Sequence, residues 1–553
     1  MNGKQKKFGI ILAIVIAVNI LSAWFFFRAD LTEEKRYSIS KTTEGILNNI
    51  DDQVVIKVYL DGQALPGGFE RLKRAIDQTL EEFKNYAGKQ IDYQFIDFNA
   101  LSEGPARDKL FNELISKGMQ PTTIFDKKDG RKTENLIFPY ATVWYQNKES
   151  VVLLLKGNQA MDAQTKLNQS YENVEFELAN AIHKLTLKQK KKIGLLTEFT
   201  KLQPVNFAGM INTLQEYYDV FIIDSKASPT FQGLDALIIP KPDFPVDDST
   251  KYKIDQYIMY GGKALFFVDG LKVDSVGLEG TFAQPLDVNL DDLFFNYGVR
   301  INKNMVKDGL NCAVIPLVVG NTGDKPNIQP VPYRYFPLIN NFGNSLITKN
   351  LDMVYTRFTS DIDTTAERGI QKTPLLMTSP YTKILNAPAL VTYNEARTDT
   401  DQKEYQGGIK SIAYLLEGKF TSLYKNRMIH SKTAAVPFKA EGESSKIIIC
   451  SDGDIIVNDV DRKTGEPLAL GYDKFTKHTF GNKDFLMNSI SYLVENEGII
   501  LARQKEIKIR LLDTLKTRDE RTRWQIVNMV LPLAVLLIFG FFRAYMWRKK
   551  YNS

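Results

Sequence analysis

Two apolar runs, one near each end, decide what the rest of this chain can be. Phe8–Phe27, FGIILAIVIAVNILSAWFFF, has Asn19 as its main polar interruption. At 1.5 Å of rise per residue it is long enough to cross the roughly 30 Å hydrocarbon core of a bilayer. A cleaved signal peptide is the competing reading. The run continues through Trp24–Phe27 and no small-residue cleavage site closes it, so an uncleaved anchor is expected. Leu21–Trp24 is similar to a lipoprotein signal, but Trp24 stands where the lipidated cysteine would be. The second run, Trp524–Phe542, carries Pro532, which a membrane helix tolerates when its surroundings satisfy the freed carbonyl.

Flanking charge sets the orientation. Lys4, Lys6 and Lys7 precede the first run, and Arg543, Arg548, Lys549 and Lys550 follow the second. Both tails, 1–7 and 543–553, are expected in the cytoplasm of a cell whose inner membrane holds spans 8–27 and 524–542. Arg28, Lys35 and Arg36, with Arg518, Arg521 and Arg523, lie on the opposite sides. Long translocated regions weigh little in the rule. The body is then periplasmic and ATP chemistry does not suit it. Tyr260–Ala264 imitates a phosphate loop, but Tyr257 stands where its first glycine would be, and a strand follows instead of a helix.

Bulk composition narrows the classes further. The net charge of +6 is small for 553 residues, and apart from local runs such as Lys188–Lys192 the positive residues are dispersed, so nucleic acid is not an expected partner. Cys312 and Cys450 exclude a disulfide scaffold and any CxxC site, and leave open whether they bond to each other. Of the three histidines, His183, His430 and His478, none sits in a catalytic motif, which argues against a zinc or His-activated enzyme.

Periodicity divides the body. Val54–Leu60 reads as a strand, Phe69–Ala87 as an amphipathic helix and Ile91–Phe98 as a strand, which makes a β-α-β unit. A helix (Ala106–Lys117) and strands Ala141–Gln146 and Ser150–Leu155 complete a domain over 37–157, thioredoxin-like in shape but without cysteines. Over 170–290 short strands alternate with helices, which predicts a doubly wound parallel sheet. Ligands of such sheets sit at the carboxyl ends of the strands, here carrying Glu198, Asp224, Lys241 and Asp269. This strand order resembles that of class I glutamine-amidotransferase-like folds, yet Asp269-Gly270 stands where their nucleophilic cysteine would be. A β-rich, irregular region fills 291–445. The stretch 446–497 returns to the α/β domain, and 498–523 is a charged juxtamembrane helix. The expected fold class is thus a multi-domain α/β extracytoplasmic body between two terminal transmembrane helices.

One stretch invites a chemical reading: CSDGDIIVNDVDR, Cys450–Arg462, directly after a strand. Asp452-Gly-Asp454 imitates the paired carboxylates of metal-assisted phosphoryl enzymes. It is not a calcium loop, because the glycine is misplaced and no closing Glu follows. The simpler reading is a strand-to-loop exit, with both aspartates bonding backbone amides and Gly453 at positive φ. No metal and no cofactor is assigned.

Seven phrases, in order along the chain, carry a resemblance. They are Val58–Gly62, Gly68–Lys73, Glu177–Leu185, Ile254–Lys263, Tyr414–Ser422, Ser451–Ile455 and Gly481–Phe485. Together they resemble the gliding-motility-associated ABC transporter auxiliary family, GldG, of Bacteroidetes. The resemblance implies a non-catalytic, membrane-anchored subunit beside an ABC permease and a cytoplasmic ATPase. It also implies a link to gliding motility and to periplasmic motility or secretion components. The family has no catalytic residues to carry over. Glu198, Asp224, Asp269, Lys419 (within Tyr414–Ser422), Asp452 and Asp454 then stand as candidate interaction or ligand residues. The rival expectations are a solute-binding module at the strand ends and a tethered metal-dependent hydrolase using Asp452 and Asp454.

Overall fold

The computed structural model describes residues 38–551 except 63–64, 101–103, 129–130, 157–162, 188, 274, 277–278, 324, 367–368, 399–400, 428–435, 496–499, 501 and 503–517. The run Phe8–Phe27 and most of the charged stretch 498–523 lie outside the described residues. Two compact units divide the chain at Glu506.

The body begins with helix α1 (Lys41–Asn48), capped by Ser40, whose side chain accepts from the Thr43 amide. Strand β1 (Val54–Val58) buries Val54, Ile56 and Val58 on one face. Helix α2 (Gly67–Ala87) turns Leu72, Ile76, Leu80 and Phe83 inward at three- and four-residue spacing. Next come β2 (Ile91–Phe95), α3 (Pro105–Ser116), β3 (Tyr140–Tyr145), β4 (Lys148–Leu153) and the long helix α4 (Ala163–Thr186). These strands form a sheet in the order β2-β1-β3-β4, with β1 and β2 parallel and β3 antiparallel to both its neighbours. A hairpin, Thr122–Lys128 with Arg131–Ile137, is inserted before β3. Glu175 on α4 accepts from the Ser40 amide (2.7 Å) and the Thr43 hydroxyl (2.8 Å), which holds α1 against α4.

The larger sheet is built from β5 (Lys192–Leu195), α5 (Ala208–Gln215), β6 (Asp219–Ile222), β7 (Ala236–Pro240), α6 (Asp248–Met259), β8 (Lys263–Phe267) and α7 (Asp291–Tyr297). Four later strands join it: β9 (Asn341–Phe342), β10 (Ile370–Met377), β11 (Ser411–Thr421) and β12 (Glu441–Cys450). The order is β9-β10-β11-β12-β8-β7-β5-β6. From β12 to β6 every pairing is parallel; from β12 to β9 every pairing is antiparallel.

Alternation along these strands builds two cores. Ile193, Leu195, Ile238, Leu265, Phe267 and Ile448 point one way, against Met210 and Leu214 of α5 and Phe485, Ile490 and Leu493 of α8 (Asn482–Val494). Leu237, Ile239, Ala264, Phe266, Ile447 and Ile449 point the other way, against Ile254 and Tyr257 of α6 and Leu293 and Phe294 of α7. Both faces are covered, which is why β7 and β8 read as near-continuous apolar runs. The region 291–445 is less separate than its sequence suggests. Strands β9, β10 and β11 come from it and extend the sheet before β12 is reached. Most of its other strands pair among themselves, including a long hairpin, Cys312–Thr322 with Lys325–Ile339, while Ala389–Val391 pairs back onto Thr281–Pro285.

The second unit contains α9 (Arg521–Tyr551). Within Arg521–Lys549 an 18-residue stretch has a mean hydropathy of 2.2, and none of that stretch is buried.

Candidate functional site

The parallel strands β6-β5-β7-β8-β12 follow the order 2-1-3-4-5, with the topological switch point between β5 and β7. That crevice is bonded shut by its own loops. The Phe199 carbonyl accepts from the Asp243 and Phe244 amides at 2.8 and 2.9 Å. Asp243 accepts from the Thr200 hydroxyl and the Lys201 amide, each at 3.0 Å.

The charged cluster sits one strand further along, where β7, β8 and β12 end side by side. Asp269 follows β8, while Asp452 and Asp454 follow β12. Carboxylate oxygens of the three lie within 4.8 Å of one another, a spacing that could hold a cation. A cation of the chain's own is already there. Lys241, just after β7, donates from Nζ to Oδ2 of Asp269 and to Oδ2 of Asp454, both at 2.7 Å.

Backbone groups complete the arrangement. Asp269 Oδ1 accepts from the Gly453 amide at 2.6 Å. Asp452 is fully buried; its Oδ1 accepts from the Asp454 amide (2.8 Å) and its Oδ2 from the Arg357 amide (2.7 Å). The Arg357 guanidinium makes a two-pronged pair with Asp459, at 3.1 and 2.9 Å. The carboxylates of Asp452 and Asp459 therefore both grip the loop carrying Arg357.

Electrostatics follow from crowding. Burial and the Asp454 and Asp269 charges push Asp452 well above the usual carboxylate range, with Lys241 and the Arg357 amide opposing. Burial also raises Asp269, against the pull of Lys241. Burial lowers Lys241, but Asp269, Asp454 and Asp452 outweigh it and hold the ammonium above its ordinary value. Asp459 stays below its ordinary value: burial raises it, but its bond to Arg357 wins. Burial pushes the Cys450 thiol well up, so it is not a reactive thiolate. Neither cysteine is bonded to the other.

Two local expectations change. Gly453 is not at positive φ; Lys241 is, at +44°. The glycine serves close approach, since a Cβ there would stand 2.5 Å from Lys241 Cγ. Asp454 turns to Lys241, while Asp452 alone of the pair binds backbone amides.

The remaining candidates separate. Glu198 accepts from the Ser225 amide at 3.2 Å, next to Asp224, which caps its own turn through the Lys226 and Ala227 amides. Both are exposed at the ends of β5 and β6. Lys419 is exposed on β11 opposite Ser444, six residues down β12 from Cys450 and so away from the cluster. Sequence reading reached Lys241 as a strand-end residue but not as the centre of the network. Arg357 carried no signal, because its region has no periodicity that locates it.

Elsewhere, between α4 and α8, lies a cleft of about 580 Å³ lined in part by Asn180, His183, Tyr217, Asn488 and Glu495. None of the sequence candidates lines it. Charges in its wall bind one another: Lys156 to Glu177 (3.0 Å) and Asp484 (3.4 Å), and Lys184 to Glu216 (2.7 Å).

Comparison with known proteins places this architecture. Residues 33–144 match a domain of unknown function. A protein of Borreliella burgdorferi, itself uncharacterized, is 22% identical over 548 residues, covering 96% of each chain. A solved structure, the mmIFT52 N-terminal domain, is 12% identical and covers 55% of this chain and 98% of that one, with a TM-score of 0.30, too low to carry an argument. Residues 190–489, from just before β5 into α8, match the family model described as an ABC-type uncharacterized transport system. With more than half of its length so matched, the chain belongs to that family of auxiliary transport components.

Proposed function

We propose that this protein is a non-catalytic subunit of an ABC transport complex, anchored in the inner membrane with its α/β body in the periplasm. It works beside a permease and a cytoplasmic ATPase, and the body relays the transporter's state to periplasmic partners or substrate. The observation that carries the reading is Lys241. Its ammonium occupies the space between the carboxylates that a catalytic metal would need, and both of its bonds there are 2.7 Å. A hydrolase built on Asp452 and Asp454 would first have to evict it. Solute capture at the switch point meets a crevice bonded shut by Phe199 and Asp243. The exposed apolar helix α9 supports the anchor, and the β2-β1-β3-β4 order supports a thioredoxin-like N-terminal domain. The second span, at 8–27, rests on the sequence alone. The gliding-motility link rests on the seven phrases; the family description names a transport system.

The test is the ATP hydrolysis rate of the permease–ATPase pair in nanodiscs, with and without the full-length chain. The subunit reading expects the rate or its substrate coupling to change on addition. An unchanged rate with no binding rejects it.

A further inference from the structure

The cleft between α4 and α8, at about 580 Å³, has the size of a small-molecule site and lies where two parts of the body meet. Its wall charges are matched from within. Lys156 pairs with Glu177 and Asp484, and Lys184 with Glu216, while Lys483 stands 3.7 Å from that same carboxylate. Asp352 lies 3.5 Å from His478 Nε2. Glu495 accepts from the hydroxyls of Tyr218 (3.3 Å) and Ser491 (3.1 Å). Lys477 is the one lining lysine without an acidic partner among the described residues, and it is exposed. A charged ligand would give up its water here and find no free counter-charge.

Three neutral groups in the same wall are unmatched. Ser150 is 7% exposed, and its hydroxyl bonds to no described residue. Asn488 is 5% exposed; its Nδ2 donates to the Ile347 carbonyl at 2.9 Å, but its Oδ1 accepts from no described residue. The His183 side chain also bonds to no described residue. Burial lowers its pKa, against the pull of Glu495, so the ring is a neutral imidazole with one donor and one acceptor. Buried polar groups are as a rule hydrogen-bonded, so three unmatched ones around a single cleft mark where a ligand's polar edge fits. Water satisfies polar groups alone. Leu153, Leu155 and Met487, each half-buried, line the cleft too, and water would leave them wet.

An organic molecule with hydroxyl or amide groups on one edge and carbon on the other meets both demands. Asn488 Oδ1 needs a donor, whereas Ser150 and His183 serve either role. We propose that this cleft binds a small uncharged molecule whose hydroxyl or amide groups hydrogen-bond to Ser150, His183 and Asn488. Ser150 lies on β4, His183 on α4 and Asn488 on α8, so an occupant ties the N-terminal domain to a helix that covers the larger sheet.

The experiment follows thermal unfolding of the full-length protein in detergent against rising probe concentration. Glucose supplies hydroxyls and N-acetylalaninamide supplies amides; glucose 6-phosphate and N-acetylalanine are their charged counterparts. A saturable rise in unfolding temperature with at least one neutral probe is expected, with its charged counterpart about tenfold weaker or more. Response to glucose alone assigns the site to polyols, and response to the amide alone assigns it to peptide-like amides. Ser150→Ala and His183→Leu should each weaken binding by about three- to tenfold. Ser150→Ala removes a hydroxyl that the fold does not use, so its unfolding temperature without probe should not fall. Three outcomes overturn the inference: no saturation with either neutral probe, equal binding of the charged counterparts, or wild-type affinity in both variants. The probes bind the chain by itself, so each outcome is independent of the subunit reading.

Discussion

Lys241 holds a left-handed backbone, with φ +44°, that non-glycine residues adopt at a cost, and the network it enters over-determines that conformation. Its side chain is 13% exposed and those of Asp269 and Asp454 are 16% and 20%, so the pairs are shielded without being sealed. Removing one partner strands the others: Lys241→Met should destabilise the body by about 3 kcal/mol in urea unfolding. Gly453→Ala should cost about 1–3 kcal/mol through overpacking against Lys241, with no charge changed. The pH dependence has a definite sign. Asp452 and Asp269 are raised above the ordinary 3.8, so the folded state holds protons that the unfolded chain releases. That contribution is complete below the ordinary value and is lost as pH rises through the folded values. Lys241 is raised from 10.5, so its contribution is constant until pH passes that value. In urea midpoints measured from about pH 5 to 8, wild type should lose stability relative to Asp452→Asn as pH rises. An unchanged difference would show Asp452 to be an ordinary carboxylate. At this scale the sequence showed that strand-end aspartates exist. It could not show that a lysine from a third strand sits among them, because that meeting depends on the sheet order.

Individual elements were more legible than their neighbours in space. Apolar spacing located β1, α2 and β2 to within a few residues, since burial on one face dictates those patterns. The strands β9, β10 and β11 were hidden in an irregular stretch, because β10 carries a bulge at Pro374, β11 carries one at Lys419, and both pair far along the chain. The start of α8 shows how distant elements are joined. Buried Asn482 accepts from the Tyr355 amide at 2.9 Å and donates to the carbonyls of Tyr355 (2.9 Å) and Ile455 (3.1 Å). It ties α8 to the turn that carries Asp454. Asn482→Ala leaves a buried amide and two carbonyls short of partners. It should lower stability by about 2–3 kcal/mol, read from the denaturant midpoint at unchanged slope.

On the scale of the whole molecule, α9 presents Leu533, Leu536, Leu537 and Phe541 to its surroundings, each more than 60% exposed, and none of its 18-residue apolar stretch is buried. Such a surface needs an apolar environment. Leu536→Arg, near the middle of that run, should disfavour membrane insertion by about 3 kcal/mol, seen as a larger fraction extracted by alkaline carbonate. This feature was legible from composition alone, because a run of that length has few other uses. The family was legible only as scattered phrases, and the match over 190–489 gives it as an auxiliary transport component. The direct test of that role is purification of the full-length chain from its own host in mild detergent, with quantitative mass spectrometry of what accompanies it. An ABC permease and ATPase at a fixed ratio is the predicted result. Recovery of the protein alone would contradict the account and return attention to the aspartates around Lys241.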